Sequence, residues 1–164
     1  MAFSMESTRL MLGDTLNHMA DTSAQREIDK WITETFLPKK TGEGFSAQSL
    51  PLESGGSHRF AAVNSTGRKV GVVCTGSAMT AGGKLATGKL MKIRADMYFL
   101  LLAQADERFL VFVDQSMYSL MLKERQTGKV PKNIQFMLVD DLPEALAEAL
   151  RQSQQAASEE VSPA

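Results

Sequence analysis

Gly83-Lys84-Leu85-Ala86-Thr87-Gly88-Lys89-Leu90 places two glycines and a lysine at the spacing of a phosphate-cradling loop. Such a loop holds magnesium through a Ser or Thr where this chain has Leu90, and it begins at a strand end, whereas Gly83 lies eight residues beyond Thr75. The sequence therefore argues against a nucleotide triphosphatase. What remains is a helix start near Lys89, with Lys89 and Lys92 on one face, suited to one phosphate of a polynucleotide. His58 and Cys74 stand where the two strands of a hairpin could bring a base beside a thiol. A one-residue change of register separates them, and a buried Cys is commonly a small hydrophobe. His18 and His58, 40 positions apart, make no metal motif. Clustered carboxylates that would hold magnesium beside a phosphodiester are missing from the hairpin, and Glu27, Glu34 and Asp96 read as helix-surface residues. Trp31 falls on an apolar stripe and reads as core.

Charge is laid out in blocks. From Ser54 to Ala95 the chain has seven cations, Arg59, Arg68, Lys69, Lys84, Lys89, Lys92 and Arg94, and no Asp or Glu. From Asp140 onward Asp140, Asp141, Glu144, Glu148, Glu159 and Glu160 face Arg151 alone. The net charge of −1 excludes a globally basic nucleic-acid binder, so any basic surface is local. Acid-free cationic segments fit polynucleotide phosphates, and the seven cations are expected to form one continuous positive surface.

The elements that must position these groups follow from periodicity. Thr22 or Ser23 caps a helix over 23–37 with Ala24, Ile28, Trp31, Ile32 and Phe36 at helical spacing, and Pro38 ends it. A further helix is expected upstream, around Met5 to Met19. Lys39 to Gly56 reads mostly as loop, with a short strand near Phe45 to Leu50. His58 to Val63 and Lys69 to Thr75 form a hairpin through Asn64-Ser65-Thr66-Gly67. A loop over Gly76 to Gly88 leads to a helix from about Lys89 to Ala105. Arg108 to Val113 and Ile134 to Val139 are apolar on both faces, the pattern of strands covered on both sides. Between them Asp114 caps a helix that Gly128 terminates, and Leu142 to about Gln155 is a final helix. The expected fold class is α/β or α+β: a mixed sheet flanked by helices in a single domain over 1–155, with a disordered acidic tail over 156–164.

At 164 residues the chain has the size of one domain. Its single cysteine can neither staple a fold nor build a zinc site, which excludes disulfide-rich secreted classes and predicts a reduced thiol in the cytoplasm. The longest apolar run, Met97 to Ala103, is seven residues, far below the roughly 20 of a membrane span. No membrane association is expected.

From Leu50-Pro51-Leu52-Glu53-Ser54-Gly55-Gly56-Ser57-His58-Arg59-Phe60 through the hairpin, the Gly/Ser/Thr loop and Lys89 to Leu102, the chain resembles the core of the PD-(D/E)XK nuclease superfamily, the restriction-endonuclease-like fold. The similarity in element order and lengths extends from about Gln25 to Leu150. In that family one hairpin strand carries a metal-binding Asp, and the next carries an acidic residue followed two positions later by Lys. The resemblance puts these places on Ala61, Val72 and Cys74, so all three functional groups are missing. It also allows migration of active residues onto helices, which makes Glu27, Lys89, Lys92 and Asp96 a displaced candidate set.

The resulting expectation is a catalytically silent nuclease-like domain, without metal or cofactor. It would bind nucleic acid, or a nucleic-acid-processing partner, through Arg59, Arg68, Lys69, Lys84, Lys89, Lys92 and Arg94. The alternatives are a magnesium-dependent nuclease using the displaced set, and a non-catalytic interaction module meeting a protein partner or a second copy of itself.

Overall fold

The computed structural model describes residues 23–161; the expected helix around Met5 to Met19, with His18, lies outside them. Residues 29–142 form one compact unit, and residues 23–28 with 143–161 belong to a second.

Residues 23–31 are helical and continue through a π-helical turn, Ile32–Phe36, into a last α-helical turn, Leu37–Thr41; together they are α1. Pro38 does not end the helix, as the sequence reading has it. The π turn resets the hydrogen-bond register so that Pro38 falls in the first turn of the following α-helical segment, where its missing N–H costs nothing. The stop comes at Gly42, whose φ of 76° lets its N–H reach the Pro38 carbonyl at 2.8 Å.

The sheet has five strands in sequence order: β1 (Phe45–Pro51), β2 (Ser57–Asn64), β3 (Lys69–Cys74), β4 (Glu107–Phe112) and β5 (Ile134–Leu138). β1, β2 and β3 run antiparallel, and β3, β4 and β5 run parallel. This is the mixed sheet flanked by helices that the hairpin turn and the two doubly apolar segments predict. The glycine-rich stretch before the hairpin is more ordered than expected: β1 is a full edge strand, with Pro51 at its last position where no ladder donor is lost.

Parallel neighbours require crossovers, supplied by α2 (Thr87–Leu102) and α3 (Gln115–Gln126). Both pack on the same sheet face. There Phe60, Val63, Val70, Val72, Cys74, Leu110, Phe112 and Ile134 meet Leu90, Ile93, Met97 and Leu100 of α2 and Met117 and Met121 of α3. On the other face Ala62 and Phe109 stand on either side of Gly71, where a Cβ would meet their Cβ atoms at 3.6 and 3.7 Å. Asp114 caps α3 as expected, accepting from the Met117 N–H at 3.0 Å. α4 (Glu144–Val161) runs beyond the expected end near Gln155, so the tail expected over 156–164 is helical as far as Val161. Within α4 Arg151 pairs with Glu144 and Glu148, each at 2.7 Å. Among the described residues no helix is long and apolar enough to cross a membrane.

The turn between β2 and β3 is tied by one side chain. Asn64 is 2% exposed, and its Oδ1 accepts from the backbone N–H groups of Arg68 and Lys69, both at 3.0 Å, and from the Thr66 hydroxyl at 3.2 Å. Truncation leaves these donors without their acceptor. Asn64→Ala is therefore expected to lower unfolding stability by about 1–3 kcal/mol in urea denaturation; a loss below about 0.5 kcal/mol, the size of an ordinary surface change, would contradict this role.

Candidate functional site

β2 and β3 pair only at Ala62 with Gly71 and at Val63 with Val70. Beyond these positions β2 pairs only with β1, whereas β3 stays in register with β4 up to Cys74 and Phe112. The two strands part company there. A bulge opposite β1 accompanies the parting, two residues of β2 between Phe60 and Val63 standing against one of β1 between Ser46 and Gln48.

The bulge decides the fate of the expected metal triad. Phe60 and Val63, three apart, both enter the core that holds Val72 and Cys74, so the strict alternation fails between them. Ala61 is not packed against that core. Val72 and Cys74 do share a face, as their spacing requires, but they are buried under Leu90, Ile93 and Met97. The three family positions therefore do not converge.

The displaced set fares differently. Asp96 of α2 has a side chain only 15% exposed and one ion-pair partner, Lys92 Nζ at 3.3 Å. Burial pushes the Asp96 carboxyl above its usual range, while Lys92 and the His58 imidazole oppose that rise. Cys74 lies within the field of the same groups. Burial pushes its thiol up to about 12, with Asp96 and Asp29 of α1 adding to the rise and Lys92 opposing it. At that value the sulfur is no thiolate nucleophile. His58 meets aromatic rings: its ring stacks on Phe99 with centroids 4.1 Å apart and planes within 4°, and Phe60 meets it edge-on at 4.8 Å.

Lys89 stands one turn before Lys92, its stem laid across Gly76, where a Cβ would lie 2.7 Å from the Lys89 Cδ. Glu27 is exposed on α1 in the other compact unit. Asp29 is the member that the sequence reading misses; two positions from Glu27 on a polar helical turn, it carries no signal of its own. Trp31 is half-buried with its ring 6.2 Å from Phe36. Among the described residues no three of His, Cys, Asp and Glu are grouped so as to hold a metal ion.

The segment from Gly76 to Ala86 is not a plain loop. Met79 bridges Leu85, the Ala86 N–H reaches the Ala78 carbonyl at 2.8 Å, and Gly83 turns the chain with φ 76°. Ser116 at the start of α3 anchors this small hairpin, accepting from the Ala78 N–H at 3.1 Å. Lys84 is at its tip. α2 then starts without a side-chain cap and without an acidic residue in its first turn.

The seven cations do not form the single continuous surface expected from sequence. Arg68 makes a two-pronged pair with Asp106 at 2.9 and 3.0 Å. Lys69 is held by Glu43 and by Glu107 at 3.1 Å, and it keeps the Glu43 carboxyl below its usual range. Arg94 meets Glu124 at 3.5 Å. With Lys92 on Asp96, four of the seven are matched by carboxylates. Arg59, Lys84 and Lys89 are exposed and have no ion pair among the described residues. Location divides them too: Arg68 and Lys69 sit at the turn, whereas Arg59 lies near the start of β2 and the Lys84–Lys89 segment follows the end of β3, both remote from that turn. At about 3.3 Å per residue, β3 from Lys69 to Cys74 spans about 17 Å, beyond the roughly 8 Å over which exposed charges interact in physiological salt. The two groups act separately.

Compared with known proteins, the chain matches no family model, no curated protein and no solved structure.

The environment of Asp96 gives a signed expectation. A carboxyl whose pKa is raised by folding is stabilising only while protonated, so its ionisation above the ordinary range near 3.8 weakens the fold. Asp96→Asn is expected to be more stable than the parent at neutral pH, with the advantage fading as pH falls through the ordinary carboxyl range. Urea midpoints measured across that range check this; a variant less stable than the parent at neutral pH would contradict it.

Proposed function

We propose that the protein is a catalytically silent, PD-(D/E)XK-like domain that binds nucleic-acid phosphates through Arg59, Lys84 and Lys89 in a reducing, cytoplasmic compartment. The observation that carries this reading is the separation of matched from unmatched cations. Four are neutralised locally by carboxylates; of the three left unmatched, Lys84 and Lys89 follow the end of β3 remote from the turn, and Arg59 lies near the start of β2 on the sheet face opposite the one through which His58 and Phe60 meet α2. Unmatched exposed cations gain most from phosphates, because each contact releases condensed counterions. The nuclease-like part of the reading is supported by element order: a helix, an antiparallel hairpin, a helix and then a strand parallel to the second hairpin strand.

Silence is supported by side-chain chemistry. A hard cation such as magnesium needs several oxygen ligands. Ala61 and Val72 offer none, and Asp96 is a lone desolvated carboxylate already paired with Lys92. Ala61, Val72 and Asp96 do not fit the family's metal. The buried, protonated Cys74 suits a reducing compartment without supplying chemistry of its own.

Titration of labelled nucleic acid at several salt concentrations tests the proposal. Replacing Arg59, Lys84 and Lys89 together by Gln is expected to weaken binding and to flatten the slope of log affinity against log salt by about 2–3 units, at roughly 0.7–0.9 per phosphate contact. Replacing Arg68 and Lys69 is expected to leave both unchanged. No affinity in low salt would overturn the proposal in favour of a protein-interaction module. Cleavage in magnesium that is lost in Asp96→Asn would overturn its silence.

A further inference from the structure

Lys89, Lys92, Asp96 and Phe99 follow one another on α2 at spacings of three and four residues, so they line one side of the helix. That side is held at both ends. The Lys89 stem lies across Gly76, in the chain that follows β3, and Phe99 stacks on His58 near the start of β2. Lys92 and Asp96 stand between these two contacts along the helix. The pair they form is lopsided: the Asp96 side chain is 15% exposed and the Lys92 side chain 71%, joined by one contact at 3.3 Å. The other matched cations are held differently. Arg68 grips Asp106 with two nitrogens, Lys69 is shared by two carboxylates, and Arg94 reaches Glu124 of α3 from another side of α2. A mostly exposed lysine tied by a single contact loses little by leaving it. Lys92 is also one turn from Lys89, an exposed cation without an ion pair among the described residues.

We infer, resting on the phosphate-binding reading above, that Lys92 joins Lys89 in holding the nucleic-acid backbone, and that Asp96 takes up a proton from solvent when Lys92 leaves it for phosphate. Asp96 cannot follow Lys92 outward, because its carboxylate is fixed on the inner side of the pair. A desolvated carboxylate that loses its cation is relieved by a proton. Burial already pushes the Asp96 carboxyl above its usual range, and Lys92 and His58 oppose that rise, so departure of Lys92 lets it climb further. The charged and titratable groups that face Asp96 are Lys92 on its own helix, His58 of β2 and Cys74 of β3, with Asp29 of α1 acting on Cys74. The Cys74 thiol, pushed up to about 12, keeps its proton at neutral and acidic pH. Binding that takes up a proton strengthens as pH falls, so affinity rises from neutral pH towards the carboxyl range.

Fluorescence anisotropy with a labelled oligothymidylate tests this on the full chain, in low salt and from neutral pH down to about pH 5, above the range in which ordinary carboxyls titrate. Parent affinity is expected to rise across that interval, and calorimetry in buffers of different ionisation heat is expected to show proton uptake on binding. Asp96→Asn is expected to bind about threefold tighter than the parent at neutral pH, the scale of one exposed ion pair, without proton uptake and with affinity independent of pH. Lys92→Gln is expected to bind more weakly than the parent at the acid end and to take up no proton; adding Asp96→Asn to it is expected to gain nothing. Asp96→Asn retains His58, so a pH dependence that survives in this variant belongs to the imidazole and would overturn the inference. An equal gain from Asp96→Asn in the Lys92→Gln background would also overturn it, since Asp96 would then act on phosphate through its own charge. Parent affinity that does not change with pH would overturn it while leaving phosphate binding by Lys89 intact. Failure to bind at any pH would overturn both.

Discussion

Everything in this structure depends on how β3 is shared. It is the strand at which the sheet changes from antiparallel to parallel pairing, and from Val70 onward it is buried on both faces. Its backbone is satisfied along its whole length by β4 but by β2 at only two positions. Backbone groups near a core must find partners, so full pairing on one side is what lets the other side open without melting the strand. The parting of β2 from β3 follows from that asymmetry. Turn chemistry sets where the parting starts: Asn64 fixes the β2–β3 connection tightly enough that the two pairs beside it survive alone.

The electrostatic layout is a second consequence of the same topology. A parallel β3–β4 pair places Lys69 opposite Glu107, and the turn leading into β4 places Asp106 beside Arg68. The turn end of the hairpin is therefore neutral. The other end is continued by a small hairpin and by the uncapped start of α2, neither of which carries a carboxylate. Such exposed pairs add little to stability, but they determine which cations are left for a ligand. A protein of near-zero net charge can in this way keep a local positive surface.

The sequence was readable where local chemistry decides the outcome. Apolar residues on both faces mark β4 and β5 as strands, although only β4 is covered on both sides and β5 is a half-buried edge; Asn64-Ser65-Thr66-Gly67 marks the turn, and Asp114 marks the start of α3. It was silent where distant parts of the chain decide. The π turn that carries α1 past Pro38 is a response to packing rather than to any propensity. The bulge that removes Ala61 from the face of Val72 appears only when β1 is paired, and β1 itself is hidden among glycines. The acid-free stretch suggested a continuous positive surface because Glu43, Asp106, Glu107 and Glu124, which match its cations, lie outside it in sequence. Asp96 looked like an ordinary helix-surface residue, and only its burial in the fold makes it a desolvated carboxylate.

The function we propose is phosphate docking at the basic end of a silent, nuclease-like sheet. Its most direct test is an NMR titration of the labelled protein with an oligothymidylate in magnesium, reading amide shifts and the integrity of the oligomer in one experiment. Shifts centred on Arg59 and on Lys84 to Met91 are expected, with an unmoved turn at Arg68 and Lys69 and an intact oligomer. Shifts centred on that turn, an absence of shifts, or a shortened oligomer would contradict it.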